Sequence, residues 1–229
     1  MGNLILLKTL FLKVRFMKKN NKKGLFIIFE GPEGAGKSTQ AKLLYDYLRN
    51  KGYDVVLTRE PGGTKVAEMV RKIILSPKIE ISPMAELLLY EAARAQHIEE
   101  VIKPSLQKNK IVISDRFADA SIVYQGYARG LGIKFVEKLN KLVVKNITPD
   151  ITFVLDISPK KGLRRIKLNR KTSFDRLEQE SIEFHKKIRE GYLKLAKKRK
   201  NFYIINVENK PFYKVHSIIV DILSKKFNL

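Results

Sequence analysis

Gly31-Pro32-Glu33-Gly34-Ala35-Gly36-Lys37-Ser38 follows the apolar run Leu25-Phe26-Ile27-Ile28-Phe29 and precedes Thr39 to Gly52, where Leu43, Leu44, Tyr47 and Leu48 recur at helical spacing. The eight residues fit the spacing G-x-x-x-x-G-K-S, a loop whose consecutive backbone N–H groups close around phosphate oxygens. The helix that follows adds the positive end of its dipole. Strand, glycine loop and helix in this order predict a buried parallel strand that delivers the loop to a sheet edge. Lys37 is expected to reach the terminal phosphates of a bound triphosphate. The Ser38 hydroxyl is expected to ligate Mg²⁺. Gly31 to Thr39 as a whole form the expected nucleotide-binding segment.

Working outward, apolar strands alternate with helices. Asp54 to Thr58 reads as a second strand and ends in Arg59-Glu60-Pro61-Gly62-Gly63-Thr64, where Pro-Gly-Gly breaks regular structure. Val66 to Leu75 reads as a short helix. A longer one opens at Ser82-Pro83 and runs towards Ile102, with a bend or break at Pro104. Ile111 to Ser114 is the third expected strand, ending in Asp115-Arg116. Helical stretches follow over 117–126 and 134–146, then a strand over 151–157. Helices over 159–170 and 177–200 flank a polar connector, 171–175. A strand over 202–207 and a helix over 211–226 close the chain. Five apolar strands separated by helices predict a parallel sheet covered on both faces. Ligands of such sheets bind beyond the carboxyl ends of the strands, where Glu30, Arg59, Glu60, Asp115, Arg116 and Asp156 fall.

Composition narrows the class. The chain has 229 residues, enough for one domain with a proper core, and 44% of them are hydrophobic. It contains no cysteine, which removes disulfides and thiolate metal sites, and its three histidines are scattered. The formal net charge is +23. Residues 1–23 carry seven of the basic residues and no acidic one, and are expected to lie outside the fold, leaving residues 24–229 as the domain. Their basic, amphipathic character suits a transit peptide, a membrane-surface contact or an upstream extension ahead of Met17. No apolar run there is long enough to span a bilayer. The remaining charge suits a solvated lysine-rich surface, or binding of anions or nucleic acid.

Asp115 ends a buried strand and is expected to hold a Mg²⁺-bound water; Arg116 beside it suits bidentate grip of an acceptor phosphate. The loop has no arginine at Pro32, Glu33, Gly34 or Ala35, so charge developing during transfer must be met by Lys37 and a cation from elsewhere. Glu33, a carboxylate, is expected to turn away from phosphates.

These residues, together with Ala92-Ala93-Arg94-Ala95-Gln96-His97, Tyr124-Gln125-Gly126 and Asp175-Arg176-Leu177-Glu178-Gln179-Glu180, occur in the order seen in bacterial-type thymidylate kinases. The chain resembles that family over roughly residues 24–229. The resemblance implies a P-loop NTPase-type three-layer α/β fold, a five-stranded parallel sheet flanked by helices with a mobile lid. It implies MgATP-dependent phosphorylation of dTMP to dTDP by a cytoplasmic homodimer. It also assigns roles. Tyr90 replaces the usual stacking Phe, and Arg94, Ser121 and Gln125 match base-contacting positions. Tyr124 matches a position near the sugar C2′, and Glu33 one that contacts the 3′-OH. Arg71 and Arg116 match residues holding the acceptor phosphate, and Arg59 and Glu60 belong to the same acceptor-side set. The lid, about 165–176, offers Arg165, Arg170 and Lys171 as catalytic cations. Glu91 and Ala120 depart from the family pattern beside the base pocket. A kinase for another pyrimidine monophosphate and, more remotely, a nucleic-acid-binding phosphate-loop protein are the alternative readings.

Overall fold

The computed structural model describes residues 24–169 and 174–229. Its centre is a five-stranded, all-parallel sheet in the order β2-β3-β1-β4-β5: β1 Leu25–Glu30, β2 Val55–Arg59, β3 Ile111–Asp115, β4 Ile151–Asp156 and β5 Phe202–Asn206. Strands β1 and β4 are buried along their whole length, as their unbroken apolar sequences demand. The edge strands β2 and β5 are only partly covered.

Alternation within β1 divides the core. Leu25, Ile27 and Phe29 face one layer and pack with Leu44, Leu48, Ile219 and Leu223. Phe26 and Ile28 face the other, against Phe117, Ile98 and Ile102. The first layer is built by α1 (Lys37–Asn50) and, at the end of the chain, by Phe212–Phe227. The second carries α2 (Lys65–Leu75), α3 (Pro83–His97), α4 (Lys103–Gln107), α5 (Ala118–Ser121) and α6 (Ile133–Val144). Then come α7 (Pro159–Asn169), α8 (Ile182–Lys197) and α9, the closing helix already given as Phe212–Phe227.

The register aligns the functional ends. Phe29 pairs with both Asp115 and Phe153, and Arg59 pairs with Asp115. The residues that end β1, β2 and β3 therefore reach one rim together with the glycine loop, as the strand pattern predicts.

Several boundaries differ from the sequence expectation. Helix α1 begins two residues earlier, at Lys37, because Gly36 adopts φ 88° and turns the chain directly into the helix. The long helix opened by Ser82 stops at His97; Ile98–Ile102 then form a wider π-type turn ahead of Pro104. Proline lacks an N–H and crowds the carbonyl four residues back, so the helix loosens in the turn before it. The stretch expected over 177–200 becomes helical only at Ile182, after Ser181, whose hydroxyl accepts from the Phe184 N–H at 3.2 Å. Residues 177 and 178 instead donate their N–H groups to the Asp175 carboxylate, both at 3.0 Å. Ile122–Ala128 is again a π-type segment, with the Arg129 N–H reaching back five residues to the Tyr124 carbonyl at 2.8 Å. The expected Tyr124 and Gln125 sit on it, and such wide turns recur where a helix must aim side chains at a ligand. The basic extension, residues 1–23, lies outside the described residues, as do Arg170 and Lys171.

Candidate active site

Two glycines of the loop have no substitute. Gly31 has φ 135°, and a Cβ there would stand 2.3 Å from the Leu155 carbonyl oxygen. Gly34 has φ 70°, and a Cβ would meet the Gly162 carbonyl oxygen at 2.1 Å. The loop is thus clamped between β4 and the first turn of α7, backbone against backbone. Lys37 folds over it, its ammonium donating to the carbonyls of Gly31 at 3.0 Å and Pro32 at 2.8 Å. Burial and the neighbouring Arg116 push this ammonium down to about 8, against the pull of Asp115, Glu33 and Glu30.

The Ser38 hydroxyl donates to the Asp115 carboxylate. A hydroxyl and a carboxylate oxygen side by side at the mouth of the loop are hard oxygen donors, the set a Mg²⁺ ion takes together with phosphate and water. Among the described residues no group of three or more His, Cys, Asp and Glu forms a metal cage.

Arg116 is the hub. Its φ of 73° lets its N–H pair with the Phe29 carbonyl at 2.9 Å while the side chain turns back over the loop. The guanidinium donates to Gly31 O, Tyr192 Oη, Glu33 Oε1 and Tyr124 Oη at 3.3, 2.9, 2.8 and 2.9 Å. Glu33 does turn away from the loop's concave side, towards Arg116 and Tyr124. Burial alone would raise its carboxyl, but Arg116, His185, Lys37 and Tyr124 hold it well below the usual range. Its Oε2 is buried without a hydrogen-bond partner among the described residues. Behind Arg116 lies Glu30, fully buried, accepting from the Tyr192 hydroxyl at 2.6 Å and the Phe117 N–H at 2.9 Å. Desolvation pushes it up to about 7, although Arg116 and both hydrogen bonds pull the other way.

A cleft of about 730 Å³ joins the loop to a second pocket. At one end it is walled by Gln40, Arg165, Val207, Lys210 and Phe212; at the other by Arg71, Leu75, Tyr90, Ala120, Ser121 and Gln125. Lys37, Asp115 and Arg116 stand between them, and Ser38, Thr39, Arg59, Glu60 and Tyr124 also line it. Apart from residues outside the described segments, every expected site residue but Arg94 contributes to this loop or cleft. Arg59 does so while paired with Glu68 at 2.9 Å, and Arg71 while donating to the Pro61 carbonyl at 3.0 Å.

Arg94 stands apart from the other expected base-contacting residues. Its Nε donates to Glu60 at 2.8 Å, Nη1 to Glu91 and to Asn140, and Nη2 to the Phe117 carbonyl and to Ser121. A guanidinium has five N–H donors, and these five bonds use all of them. Arg94 braces α3 against β2 and α5 and does not line the cleft. Glu60 is committed in the same way, its other oxygen 3.0 Å from His97 Nδ1. The departure Glu91 is thereby explained as a partner of Arg94. Arg165, expected as a lid cation, donates to the carbonyls of Val207 and Glu208, both at 3.0 Å, and so forms cleft wall. Asp156 belongs to the rim but is taken by Arg189, at 2.7 and 2.9 Å. Sequence reasoning missed Tyr192, His185 and Glu86. The first two look like ordinary core residues of an amphipathic helix, and Glu86 like a solvent-facing residue of a helix start.

Comparison with known proteins agrees with this geometry. The family model described as "Thymidylate kinase" matches residues 29–219. A thymidylate kinase of Thermoanaerobacter sp. (strain X514) is 48% identical over 203 residues, covering 89% of this chain and 98% of that one. One from Geobacillus sp. (strain WCH70) is 47% identical over 86% of this chain and 95% of its own. The crystal structure of thymidylate kinase from Ehrlichia chaffeensis, 36% identical, matches with a TM-score of 0.72 over 88% of this chain and 99% of that one. A phosphate loop on the central strand, facing a second pocket across a cationic gap, defines a phosphate-loop nucleotide kinase. Within that class the chain belongs to the thymidylate kinase family.

Proposed function

We propose that the cleft binds ATP at the loop end and dTMP at the Tyr90 end, and that the chain transfers the terminal phosphoryl group between them. Family membership carries the activity, phosphorylation of dTMP to dTDP with ATP as donor. An oxygen of the dTMP phosphate attacks the γ-phosphorus, the bond to the β–γ bridging oxygen breaks, and ADP leaves. The observation that supports the residue assignment is that Lys37 and Arg116 line one cleft together with the loop and Tyr90. Charge spreads over the transferred group in flight, so fixed cations there lower the barrier without covalent chemistry. Arg71 and Arg116 hold the acceptor phosphate, Tyr90 stacks on the base, Glu33 accepts from the sugar 3′-OH, and Tyr124 fills the space a 2′-OH would need. Ser38 and Asp115 would hold Mg²⁺, which would supply charge neutralisation to the transfer.

A second copy of the chain is the partner this reading adds. Val66, Met69 and Ile73 are exposed along one face of α2, and Met84 and Leu88 along one face of α3. Such an apolar face on two packed helices supports the homodimer that the family resemblance implies. A cytoplasmic location is proposed on the family resemblance; among the described residues no helix is long and apolar enough to cross a membrane.

The test is ADP release with MgATP and dTMP, dUMP, UMP, dCMP, AMP or GMP. Preference for dTMP, with loss of turnover in Lys37→Ala at preserved circular dichroism, is the expected result. A different favoured acceptor would reject the pocket assignment, and undiminished turnover in Lys37→Ala the role of the loop.

A further inference from the structure

Gln125 sits at the acceptor end of the cleft, beside Tyr90 and Ser121, yet is almost fully buried. Its amide nitrogen donates to Glu86 Oε1 at 2.7 Å. Glu86, in the first turn of α3, is completely buried and takes three further bonds: from Arg129 Nε at 3.2 Å, from Arg129 Nη2 at 3.1 Å, and from Arg176 Nη2. Burial would raise the Glu86 carboxyl, but hydrogen bonds from Arg129, Gln125 and Arg176 hold it below its usual range. It is therefore a carboxylate, which accepts and never donates.

That decides which way the Gln125 amide faces. A flipped amide would set its oxygen against a carboxylate oxygen at hydrogen-bond distance, two acceptors with no proton between them. The nitrogen must face Glu86. The amide oxygen has no hydrogen-bond partner among the described residues and belongs to a side chain that lines the cleft. The acceptor pocket thus presents a fixed acceptor, and its polarity is set by a residue that does not line the cleft.

We infer that Glu86 is a positioning residue for base selection: by holding the nitrogen of Gln125 it turns the amide oxygen to the ligand, so the pocket takes a pyrimidine with a donor at N3 and an oxo group at C4, and rejects a 4-amino pyrimidine. A 4-amino pyrimidine carries a lone pair at N3, and its ring would bring acceptor against acceptor in a desolvated place. Sites built on one buried hydrogen-bond polarity reject the reversed partner far more strongly than a change of shape does.

The inference rests on dTMP being the acceptor, and the test separates the two. dTMP and 5-methyl-dCMP differ only at N3 and C4, so the ratio of their kcat/KM values reads the polarity of the pocket. Wild type is expected to favour dTMP by about a hundredfold or more. In Glu86→Gln the introduced amide oxygen keeps Arg129 Nη2 and Arg176, its nitrogen takes the place that faces Gln125 and Arg129 Nε, and the Gln125 amide must flip. The ratio is expected to fall at least tenfold, chiefly through KM, while melting temperature reports whether the fold is kept. Gln125→Leu, which leaves Glu86 and its two arginines intact, removes the acceptor and is also expected to lower the ratio about tenfold. It keeps the inference open to refutation if Glu86→Gln does not fold. An unmoved ratio in folded Glu86→Gln, or in Gln125→Leu, overturns the inference while dTMP kinase activity stands. Wild-type turnover of neither nucleotide overturns the kinase reading and this inference with it.

Discussion

Glu30 shows what one buried carboxyl does to the molecule. It is not among the residues that line the cleft but supports Arg116 from behind, with Tyr192, Lys37 and Asp119 as its other charged or titratable neighbours. Desolvation raises its folded value from 4.5 to about 7. Between those two values the folded chain keeps a proton that the unfolded chain has released, so stability falls as pH rises through this window. Below about 4.5 both states hold the proton, and above about 7 neither does. Glu33 works in the opposite sense: its lowered value gives stability above the ordinary carboxyl range that is lost in acid, below the Glu30 window. Melting curves of ligand-free protein at successive pH values are expected to show a decline from about pH 5 to pH 7 that Glu30→Gln flattens. Parallel curves for wild type and variant would refute the assignment. Nothing in the sequence distinguishes this glutamate from any residue ending a strand; its burial depends on Tyr192, 162 positions away.

At the level of elements, the sequence is legible where local chemistry decides. Ser82 and Thr64 cap α3 and α2 as their residue types predict, accepting from the N–H three residues on at 3.4 and 3.1 Å. The π-type segments were not legible, since they follow from how helices pack and not from any residue preference. Gly126 and Gly191 are the visible traces: a Cβ would lie 3.3 Å from Val136 Cγ2 at the first and 3.0 Å from Val123 Cγ1 at the second. Likewise α7 and the loop meet through two glycines, and a Cβ on Gly162 would stand 2.2 Å from the Glu33 carbonyl oxygen. No side chain cushions that contact, so the helix or the loop must give way by about an ångström if one is added. Gly162→Ala is expected to raise KM for ATP by about tenfold and KM for dTMP far less, because a misplacement of that size costs alignment where the donor sits. Steady-state kinetics with each substrate varied in turn would show it; equal changes in both constants would contradict the loop-specific account.

On the scale of the whole molecule, sheet order and register bring Glu30, Arg59, Asp115 and the loop to one edge, and this much followed from strands alternating with helices. What stayed hidden is the layer behind the rim. Arg94, one turn from Tyr90, is part of that layer: its partners Glu60, Asn140 and Ser121 come from three distant segments. The exposed apolar face of α2 and α3 belongs to this scale too. Leu88→Asp is expected to convert a dimer to a monomer in light scattering, and a mass unchanged by the substitution would exclude this face as the interface. Finally, the ammonium of Lys37, stationed on two carbonyls of its own loop, has an acidity near that of mildly alkaline buffers. A polyphosphate brought against it raises that value, so near pH 8 the empty enzyme draws roughly half a proton per site from solution as nucleotide arrives. Donor affinity and the measured heat of association then depend on pH and on the ionisation enthalpy of whatever buffer supplies the proton.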